Sequence, residues 1–495
     1  MPIRLRGLLR SRSAGHPHKT FLEDARTHRV IDNAGIDAAA RAWSRELDAL
    51  HVPHGARVLV DIDDPLSFAV VHLSVIAAGR CSAPVNPEAT PAETHRARMA
   101  LRPVLVITDR ALRPGLRVQV GTGLPVDPVA DPGAPVPDDG PPGSAALLTS
   151  GSTGAPKTVV LAEEQLLHVA GAVARHHRLT AADRGFNPLP LFHINGQVVG
   201  LLATLVSGAT LVLDRRFHRT GFWPLLAAHD ITWLNAVPAV LTILSREKIP
   251  VLPQRLRFVR SASAPLSENV GRLIAAATGV PVVESYGMTE AASQITATPL
   301  DAPARPGSVG LPVDVELEVI GPDGGVCPPG AVGRVRIRGA GVIRGYADGR
   351  GADRIDDAHW LDTADLGRLD DDGYLYLVGR ADDVVNRGGE LVYPREIEEV
   401  LLDEPAVADA VVIGRPDDVL GAVPIALIRP ADELDAAAGA QLVRRLVKLC
   451  TVHLARYKRP AEFRLVGGFP LAPTGKVRRT ELRRQLADEL AASGR

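Results

Sequence analysis

Cysteine is scarce in this sequence, and the cysteines that are present do not form a recognisable set. The chain of 495 residues contains only Cys81, Cys327 and Cys450, scattered along it without a Cys-x-x-Cys pair. An odd number of widely separated cysteines predicts neither a disulfide framework nor a cysteine–histidine zinc site. A reducing compartment, the cytoplasm, is the simplest location that fits.

The sequence also lacks a charge excess and a long apolar segment. Lys and Arg total 56 against 57 Asp and Glu, for a net charge of -1, so neither nucleic acid nor a membrane is an expected partner. The basic start, residues 1–12, is not followed by the apolar core of a signal peptide. The most apolar stretch, 198–213, is too short and too mixed to span a bilayer, and it predicts a buried helix followed by a strand.

What the chain does have is length and apolar residues. A chain of 495 residues with 46% hydrophobic residues exceeds what one core usually organises, so two or more domains are expected. In the first third, predicted helices at 37–50 and 66–78 alternate with predicted strands at 57–62, 104–108 and 145–149. Such alternation predicts an α/β fold with mainly parallel sheets.

Further along, the pattern changes twice. Residues 114–143 are rich in Pro and Gly and predict an irregular surface connection. Residues 333–338 alternate with period two, as a half-buried strand does. Strands at 375–378, 408–413 and 424–428, with helices at 394–402 and 439–457, predict a small α+β domain beginning near residue 380.

One Ser/Thr/Gly-rich segment carries the clearest chemical signal. It reads Thr149-Ser-Gly-Ser-Thr-Gly-Ala-Pro-Lys157 and follows a short apolar strand. Its backbone N–H groups and hydroxyls can surround an anion, with the lysine as counter-charge. A Walker A loop is one alternative, but Pro156 occupies the position of its second glycine and has no N–H to offer. A solvated Ser/Gly turn is the other.

This segment resembles the signature loop of the adenylate-forming superfamily, which includes acyl-CoA synthetases, peptide-synthetase adenylation domains and luciferases. Thr158 stands where that loop usually has a glycine. The resemblance implies an ATP phosphate site formed by Thr149, Ser150, Gly151, Ser152, Thr153, Gly154 and Lys157.

Two further segments resemble the next blocks of this family in the expected order. Pro190-Leu-Phe-His193 is similar to a block whose histidine borders the acyl pocket and the pantetheine channel, although a lone His193 could also be a core histidine. The run 260–265 resembles a segment of small residues that lets adenine lie against the backbone. The nucleotide-binding residues implied there are Ser263, Ala264 and Pro265.

The segment Glu284-Ser-Tyr-Gly-Met-Thr-Glu290 is similar to the family's Tyr-Gly-Met-Thr-Glu block. The resemblance assigns nucleotide binding to Glu284, Ser285 and Tyr286, with the tyrosine stacked on adenine. Thr289 is implied to contact the α-phosphate, and Glu290 to help bind Mg²⁺. A hard cation of this kind prefers carboxylate and phosphate oxygens.

The last blocks lie on either side of the expected domain junction. Asp365, in Trp360-Leu-Asp-Thr-Ala-Asp365, is the implied acceptor of the ribose hydroxyls, with Ala364 replacing the family's glycine. Arg380 is implied to contact ribose or phosphate. The resemblance places a hinge at Asp382, between a domain of residues 1–381 and a mobile domain of residues 382–495.

Two residues of the mobile domain are implied to act in turn. Gly389, in Asn386-Arg-Gly-Gly-Glu390, corresponds to the glycine that lines the pantetheine tunnel after the domain rotates. Lys476, in Thr474-Gly-Lys476, corresponds to the catalytic lysine that bridges the acid and the α-phosphate. No carrier-protein domain follows Lys476, so the chain looks most similar to single-module acyl-CoA synthetases, in the branch of oxalate-CoA and short or medium acyl-CoA ligases.

The function implied is activation of a carboxylic acid by ATP, with Mg²⁺, followed by transfer of the acyl group to coenzyme A. One alternative keeps the adenylation but uses an amine, a carrier-protein thiol or another nitrogen nucleophile as acceptor. A second alternative is a non-catalytic nucleotide-binding protein, and the chain could be a monomer or a homodimer. The implied acyl pocket, which suits a small or hydroxylated acid, is lined by residues near Asn195, Gln197, Val199, Ser261, Ser285 and Met288.

Overall fold

The computed structural model of the protein describes residues 4–109, 118–119, 125–130, 143–149, 157–303, 305–417, 419–471 and 477–492. These residues form four sheets with helices packed between and around them. The larger part of the chain is a multi-lobed α/β structure, and a smaller α+β unit follows it. The predicted fold class is therefore confirmed.

The first sheet has seven strands in the order β6-β7-β5-β3-β4-β8-β9. Its members are β3 (Arg57–Asp61), β4 (Cys81–Pro84), β5 (Leu105–Thr108), β6 (Val118–Gln119), β7 (Pro125–Ala130), β8 (Ser144–Thr149) and β9 (Lys157–Ala162). The strands from β5 to β8 pair in parallel, and β8 and β9 form an antiparallel hairpin. Because parallel strands are covered on both faces, β3, β4 and β5 are buried at nearly every position.

The second sheet has nine strands in the order β16-β15-β14-β13-β12-β10-β11-β1-β2. Its members are β1 (Thr20–Asp24), β2 (Val30–Asp32), β10 (Arg184–Asn187), β11 (Thr210–Leu213), β12 (Trp233–Ala236), β13 (Phe258–Ala262), β14 (Val282–Tyr286), β15 (Thr296–Ala297) and β16 (Leu311–Pro312). Its centre, from β1 to β14, is parallel. Ligands commonly bind at the carboxyl ends of such strands.

The helices that cover these sheets begin at identifiable signals. They are α1 (Leu5–Gly15), α2 (Asn33–Ala49), α3 (Pro65–Ala77), α4 (Pro91–Leu101), α5 (Glu163–His176), α6 (Ala203–Ser207), α7 (Phe222–Ala228), α8 (Pro238–Leu244) and α9 (Glu268–Thr278). At α4, Thr90 and Glu93 form a capping box with Pro91 at the first helical position. Helix α3 is buried on nearly every side, which explains its almost wholly apolar sequence.

Two smaller sheets complete the chain. The third is antiparallel and consists of β17 (Glu316–Ile320), β18 (Gly333–Arg338), β19 (Leu361–Leu369) and β20 (Leu375–Arg380). The fourth consists of β21 (Val385–Arg387), β22 (Glu390–Val392), β23 (Val407–Asp417), β24 (Gly421–Pro430) and β25 (Glu462–Leu465). Around it pack α10 (Pro394–Leu402), α11 (Ala436–His453) and α12 (Arg479–Ala492).

Most predicted elements are confirmed, with three differences. The predicted helix 37–50 begins earlier, at Asn33, because the side chain of Asp32 caps it by accepting the Gly35 N–H at 2.7 Å. The predicted helix 439–457 ends at His453 because Leu454 is extended. The prediction of an irregular 114–143 segment is wrong for residues 118–119 and 125–130, which form β6 and β7, and most of the remainder lies outside the described residues.

Candidate active site

The predicted phosphate loop connects the two strands of the β8–β9 hairpin. Thr149 at the end of β8 pairs with Lys157 at the start of β9, and the Thr149 hydroxyl donates to the Lys157 carbonyl oxygen at 3.4 Å. The hairpin therefore fixes both ends of the loop at neighbouring positions. The remaining predicted members, Ser150, Gly151, Ser152, Thr153 and Gly154, lie outside the described residues.

Lys157 and Glu290, which are 133 positions apart in the chain, contact the same tyrosine. The Lys157 Nζ lies 4.9 Å from the centroid of the Tyr346 ring, and the Tyr346 hydroxyl donates to Glu290 Oε1 at 2.9 Å. Arg354 Nη1 lies 3.8 Å from the same carboxylate oxygen. Burial, followed by the Glu290 charge, raises the pKa of Tyr346, which keeps its hydroxyl protonated and able to donate. Two distant sequence blocks therefore meet at one point.

The backbone around Glu290 is held in a tight arrangement. Thr289 opens a short 3₁₀ turn, Thr289–Ala291, that carries the buried Glu290 side chain. Just before it, a Cβ at Gly287 would lie 1.5 Å from the Ser293 carbonyl oxygen. Only glycine allows the two backbone segments to approach this closely. Gly287 therefore fixes the path that presents Thr289 and Glu290.

Asp365 is bound by two other predicted nucleotide residues. The Tyr286 hydroxyl at the end of β14 donates to Asp365 Oδ2 at 2.5 Å. Arg380 is the cross-strand partner of Asp365 in the third sheet, and its Nη1 lies 3.4 Å from Oδ1. Burial and the Asp365 charge raise the pKa of Tyr286 well above its usual range, so the hydroxyl remains a donor. The adenine and ribose candidates are thus in direct contact.

A strained backbone position precedes Asp365. Ala364, which replaces the family's glycine, has φ +61 and so adopts the left-handed conformation that glycine adopts more readily. The β18–β19 register shifts between Arg334 and Arg336, opposite this part of β19. Irregularities of this kind can re-aim side chains at strand edges, and this one lies opposite the residues that lead into Asp365.

Replacing Ala364 with glycine is expected to stabilise the protein by about 1 kcal/mol, because the left-handed conformation costs an L-residue roughly that much. Chemical denaturation of the wild type and the Ala364→Gly variant measures the difference. Ala352→Gly, in the 3₁₀ turn Ala352–Arg354, is the matched control and is expected to lose stability. A loss in both variants would contradict the assignment of strain to Ala364.

His193 and the 263–265 segment are linked through Asn195. His193 lies just before the wide π-helix Gly196–Leu202, a form often found at functional sites. The Asn195 Nδ2 donates to the Ser263 hydroxyl at 3.4 Å. Ser263 has φ +77, a strained conformation for a residue with a side chain. Ala264 and the exposed Pro265 follow it.

Glu284 lies on β14 with its side chain largely withdrawn from water. Its pKa is raised to about 7, mainly by burial; Arg395 opposes this rise, and the charges of Glu268 and Glu399 add to it. Between pH 4.5 and about 7, the Glu284 carboxyl group is therefore protonated in the folded state and ionised in the unfolded state. The contribution of Glu284 to stability is therefore unfavourable once pH exceeds the ordinary value of 4.5.

We expect the free energy of unfolding to fall as pH rises from about 4.5 to about 7, with Glu284 contributing to that fall. Glu284→Gln removes the titration, so the variant should gain stability relative to the wild type across this window. Denaturation at several pH values measures the difference, and Glu433→Gln, an exposed position, serves as control. A constant difference between Glu284→Gln and the wild type would refute the expectation.

The predicted hinge and tunnel residues of the C-terminal part are exposed. Asp382 is exposed in the short turn Ala381–Asp383, and its neighbour Asp383 pairs with Arg483 of α12. Gly389 is exposed at φ +94, and a Cβ there would meet nothing within 4 Å. Lys476 lies outside the described residues.

Tyr346 and Arg354 were not predicted from the sequence. Tyr346 bridges Lys157 and Glu290, and Arg354 Nη1 donates to its hydroxyl at 2.9 Å. Their segment, 344–354, is polar and rich in glycine, so it resembles an ordinary loop. The presence of a tyrosine in such a segment was the one available signal of a functional role, and it does not reveal which residues the tyrosine contacts.

The buried Glu290 carboxylate beside Tyr346, and the contact of Tyr286, at the end of the parallel strand β14, with Asp365, fit an adenylating enzyme, a ligase. The chain matches the family model "AMP-binding enzyme" over residues 9–347 and the model "AMP-binding enzyme C-terminal domain" over residues 396–476. The chain belongs to the AMP-binding enzyme family, which confirms the resemblance seen in the sequence.

Curated relatives and solved structures agree with this family. The chain is 35% identical to a sulfoacetate–CoA ligase of Cupriavidus necator, over 97% of both chains. It is 31% identical to an oxalate–CoA ligase of Arabidopsis thaliana, over 96% of this chain and 97% of the relative. ATP-bound MatB from Rhodopseudomonas palustris aligns with a TM-score of 0.84 at 26% identity, over 98% of this chain and 99% of MatB.

No helix in the described part of the chain combines the length and apolar character needed to cross a membrane. The predicted buried helix and strand at 198–213 are confirmed as the π-helix, α6 and β11. These elements belong to the core of the large domain.

Proposed function

We propose that this protein uses ATP to activate a small carboxylic acid as an acyl-adenylate and then transfers the acyl group to coenzyme A, releasing pyrophosphate and AMP. One observation carries the proposal. The contacts Lys157–Tyr346–Glu290 and Tyr286–Asp365–Arg380 bring together residues from five separate sequence blocks. The relatives named above are CoA ligases for sulfoacetate and oxalate, both small acids.

The nucleotide half of the site follows from the polar contacts. Asp365, with its carboxylate already accepting from Tyr286, binds the ribose hydroxyls, and Arg380 adds positive charge beside it. The Tyr286 ring packs against adenine, and the backbone of Ser263–Pro265 borders it. Lys157 and the hydroxyls of the 149–154 loop bind the phosphates, because a surrounding of N–H, O–H and ammonium donors suits an oxyanion.

The site fits a magnesium ion in its donor chemistry. Glu290 is buried and supplies carboxylate oxygens. Tyr346 donates a hydrogen bond to it and also contacts the ammonium group of Lys157. Mg²⁺ is usually bound by one or two carboxylates together with substrate phosphates, so Glu290 would hold it. When bound, the ion neutralises phosphate charge.

Adenylation brings two anions together, so catalysis is mainly positioning and charge neutralisation. The acid carboxylate attacks the α-phosphorus of ATP, a P–O bond forms, and the bond to the pyrophosphate breaks. Thr289 donates to the α-phosphate, and Lys476 bridges that phosphate and the acid. No general base is required, because the attacking carboxylate carries no proton.

Thioester formation uses a second arrangement of the same chain. The thiol releases its proton to solvent, and its sulfur forms a bond to the acyl carbon. The bond between that carbon and the phosphate oxygen breaks, so AMP leaves. His193 borders the channel along which the thiol arrives. We propose that residues 382–495 rotate about Asp382, so that Lys476 leaves and Gly389 enters the channel. The exposure of Asp382 and Gly389 supports this, since neither is locked by packing.

The test supplies the purified protein with ATP, Mg²⁺ and a panel of small acids, with and without coenzyme A. AMP and a thioester should form together for at least one acid, and AMP should depend on that acid. Formation of AMP with an amine or a carrier-protein thiol, but never with coenzyme A, would assign a different acceptor. Absence of pyrophosphate exchange with every acid would refute the proposal.

A further inference from the structure

A fully buried arginine lies beside the candidate active site. Arg260 is in β13 and only 1% exposed. Its Nη1 donates to Asn195 Oδ1 at 3.2 Å and to Asn235 Oδ1 at 3.1 Å. Its Nη2 donates to the Ser285 hydroxyl at 2.9 Å and to Gln294 Oε1 at 3.3 Å. All four acceptors are neutral.

No carboxylate among the described residues pairs with this guanidinium. The buried Arg80, by comparison, pairs with Asp48 at 2.6 Å. Burial alone lowers the pKa of Arg260 to about 9. An isolated buried charge is costly unless a charge of opposite sign compensates it. The amide and hydroxyl partners of Arg260 are neutral, so among the described residues its positive charge has no compensating negative charge.

The surroundings of Arg260 contain further unsatisfied polar atoms. Arg260 Nε and Gln294 Nε2 are buried and have no hydrogen-bond partner among the described residues. The same is true of both amide atoms of Gln197, which follows Asn195 by two positions at the start of the π-helix. Buried polar groups are nearly always paired in folded proteins. These unpaired atoms therefore favour a polar ligand that is bound in contact with them.

The cluster adjoins the predicted acyl pocket. Asn195 and Ser285, two of the direct partners of Arg260, are among the residues implied to line that pocket. Ser285 precedes Tyr286, whose hydroxyl bonds to Asp365, and Asn195 bonds to Ser263. Arg260 therefore contacts residues that adjoin or contact the candidate nucleotide-binding residues. These strands are parallel, and substrates commonly bind at the carboxyl ends of parallel strands.

We infer that Arg260 is a specificity-determining residue that binds a second anionic group on the acid, opposite the carboxylate that is adenylated. This inference rests on the proposed function and names its substrate class as short acids carrying a further carboxylate or sulfonate. Its Nε–H, which has no partner among the described residues, is the donor available to such an oxyanion, and the guanidinium supplies the positive charge.

The wild type is tested first, with oxalate, malonate and sulfoacetate against acetate, propionate and butyrate at equal ionic strength. The dianionic acids should give a higher kcat/KM for AMP formation, and comparison of malonate with sulfoacetate identifies which anion is preferred. Higher kcat/KM for the monocarboxylic acids would overturn the inference and leave the proposed function standing. No AMP from any acid would instead refute the proposed function itself.

Arg260→Gln removes the charge and retains donors, and Arg260→Lys retains the charge. Because hydrogen bonds to charged groups contribute about 1.5–3 kcal/mol, Arg260→Gln should lower kcat/KM for dianionic acids roughly 10- to 100-fold. The loss should be much smaller for the monocarboxylic acids, and Arg260→Lys should recover part of the loss for the dianionic acids. Arg255→Gln removes a half-exposed arginine of the preceding segment and is the control.

An equal loss for all acids in Arg260→Gln, with ATP binding retained, would assign Arg260 a structural role only and overturn the inference. If Arg260→Gln does not fold, the ratio of dianionic to monocarboxylic kcat/KM in Arg260→Lys decides the question. A changed ratio supports direct contact, because a lysine presents a differently shaped donor group. An unchanged ratio contradicts it.

Discussion

Replacement of Lys476 with alanine is expected to abolish adenylate formation while leaving thioester formation from a supplied acyl-adenylate nearly intact. The lysine is assigned to the bridge between the acid and the α-phosphate, so its charge is needed only while the two anions approach. Removing one such donor typically costs roughly 100- to 1,000-fold in rate. Acid-dependent pyrophosphate exchange measures the first step, and release of AMP from synthetic acyl-adenylate with coenzyme A measures the second.

The matched control for this experiment is Lys448→Ala, at an exposed position of α11 in the same C-terminal part of the chain. It should leave both steps unchanged. Equal loss of both steps in Lys476→Ala would contradict the proposal that Lys476 acts only in adenylate formation. Retention of the first step would remove Lys476 from the mechanism.

Replacement of Asp365 with asparagine is expected to weaken both steps, because the nucleotide occupies the same position in each. The substitution keeps the shape of the side chain but removes the charge that accepts from Tyr286 at 2.5 Å and faces Arg380 at 3.4 Å. Charged hydrogen bonds are worth about 1.5–3 kcal/mol each. We therefore expect kcat/KM for ATP to fall about 100-fold, mainly through a higher KM.

Asp372→Asn provides the control, since Asp372 is an exposed acid of the turn that follows β19. Titration of AMP against each variant separates binding from folding. AMP should stabilise the wild type and Asp372→Asn against heat, and stabilise Asp365→Asn much less. An unchanged KM for ATP in Asp365→Asn would show that the ribose lies elsewhere.

The sequence predicted the elements well where the pattern is local. The alternation in 333–338 became strand β18, with residues buried and exposed in turn. The strands at 57–62 and 104–108 became β3 and β5, side by side and parallel. Pairing of residues 125–130 with β5 was not predicted, because a strand containing two prolines has no reliable local signal.

The candidate site divides in the same way. The blocks around Glu290 and Asp365 could be identified in the sequence because they resemble, in residues and in order, the blocks of a known family. The bridge through Tyr346 could not, because its partners Lys157 and Glu290 are 189 and 56 positions away. The role of Arg260 was missed for a related reason: its segment was interpreted through its small residues, and burial is not visible in the sequence.

The amino-acid sequence by itself determined the family, the order of the functional blocks and most of the helices and strands, because these depend on residue types and short periodicities. The tertiary structure alone decided which charges have partners. It gave Glu290 a tyrosine and an arginine, and it left Arg260 among neutral groups. Whether a charge is compensated depends on distances between segments far apart in the chain, and folding fixes those distances.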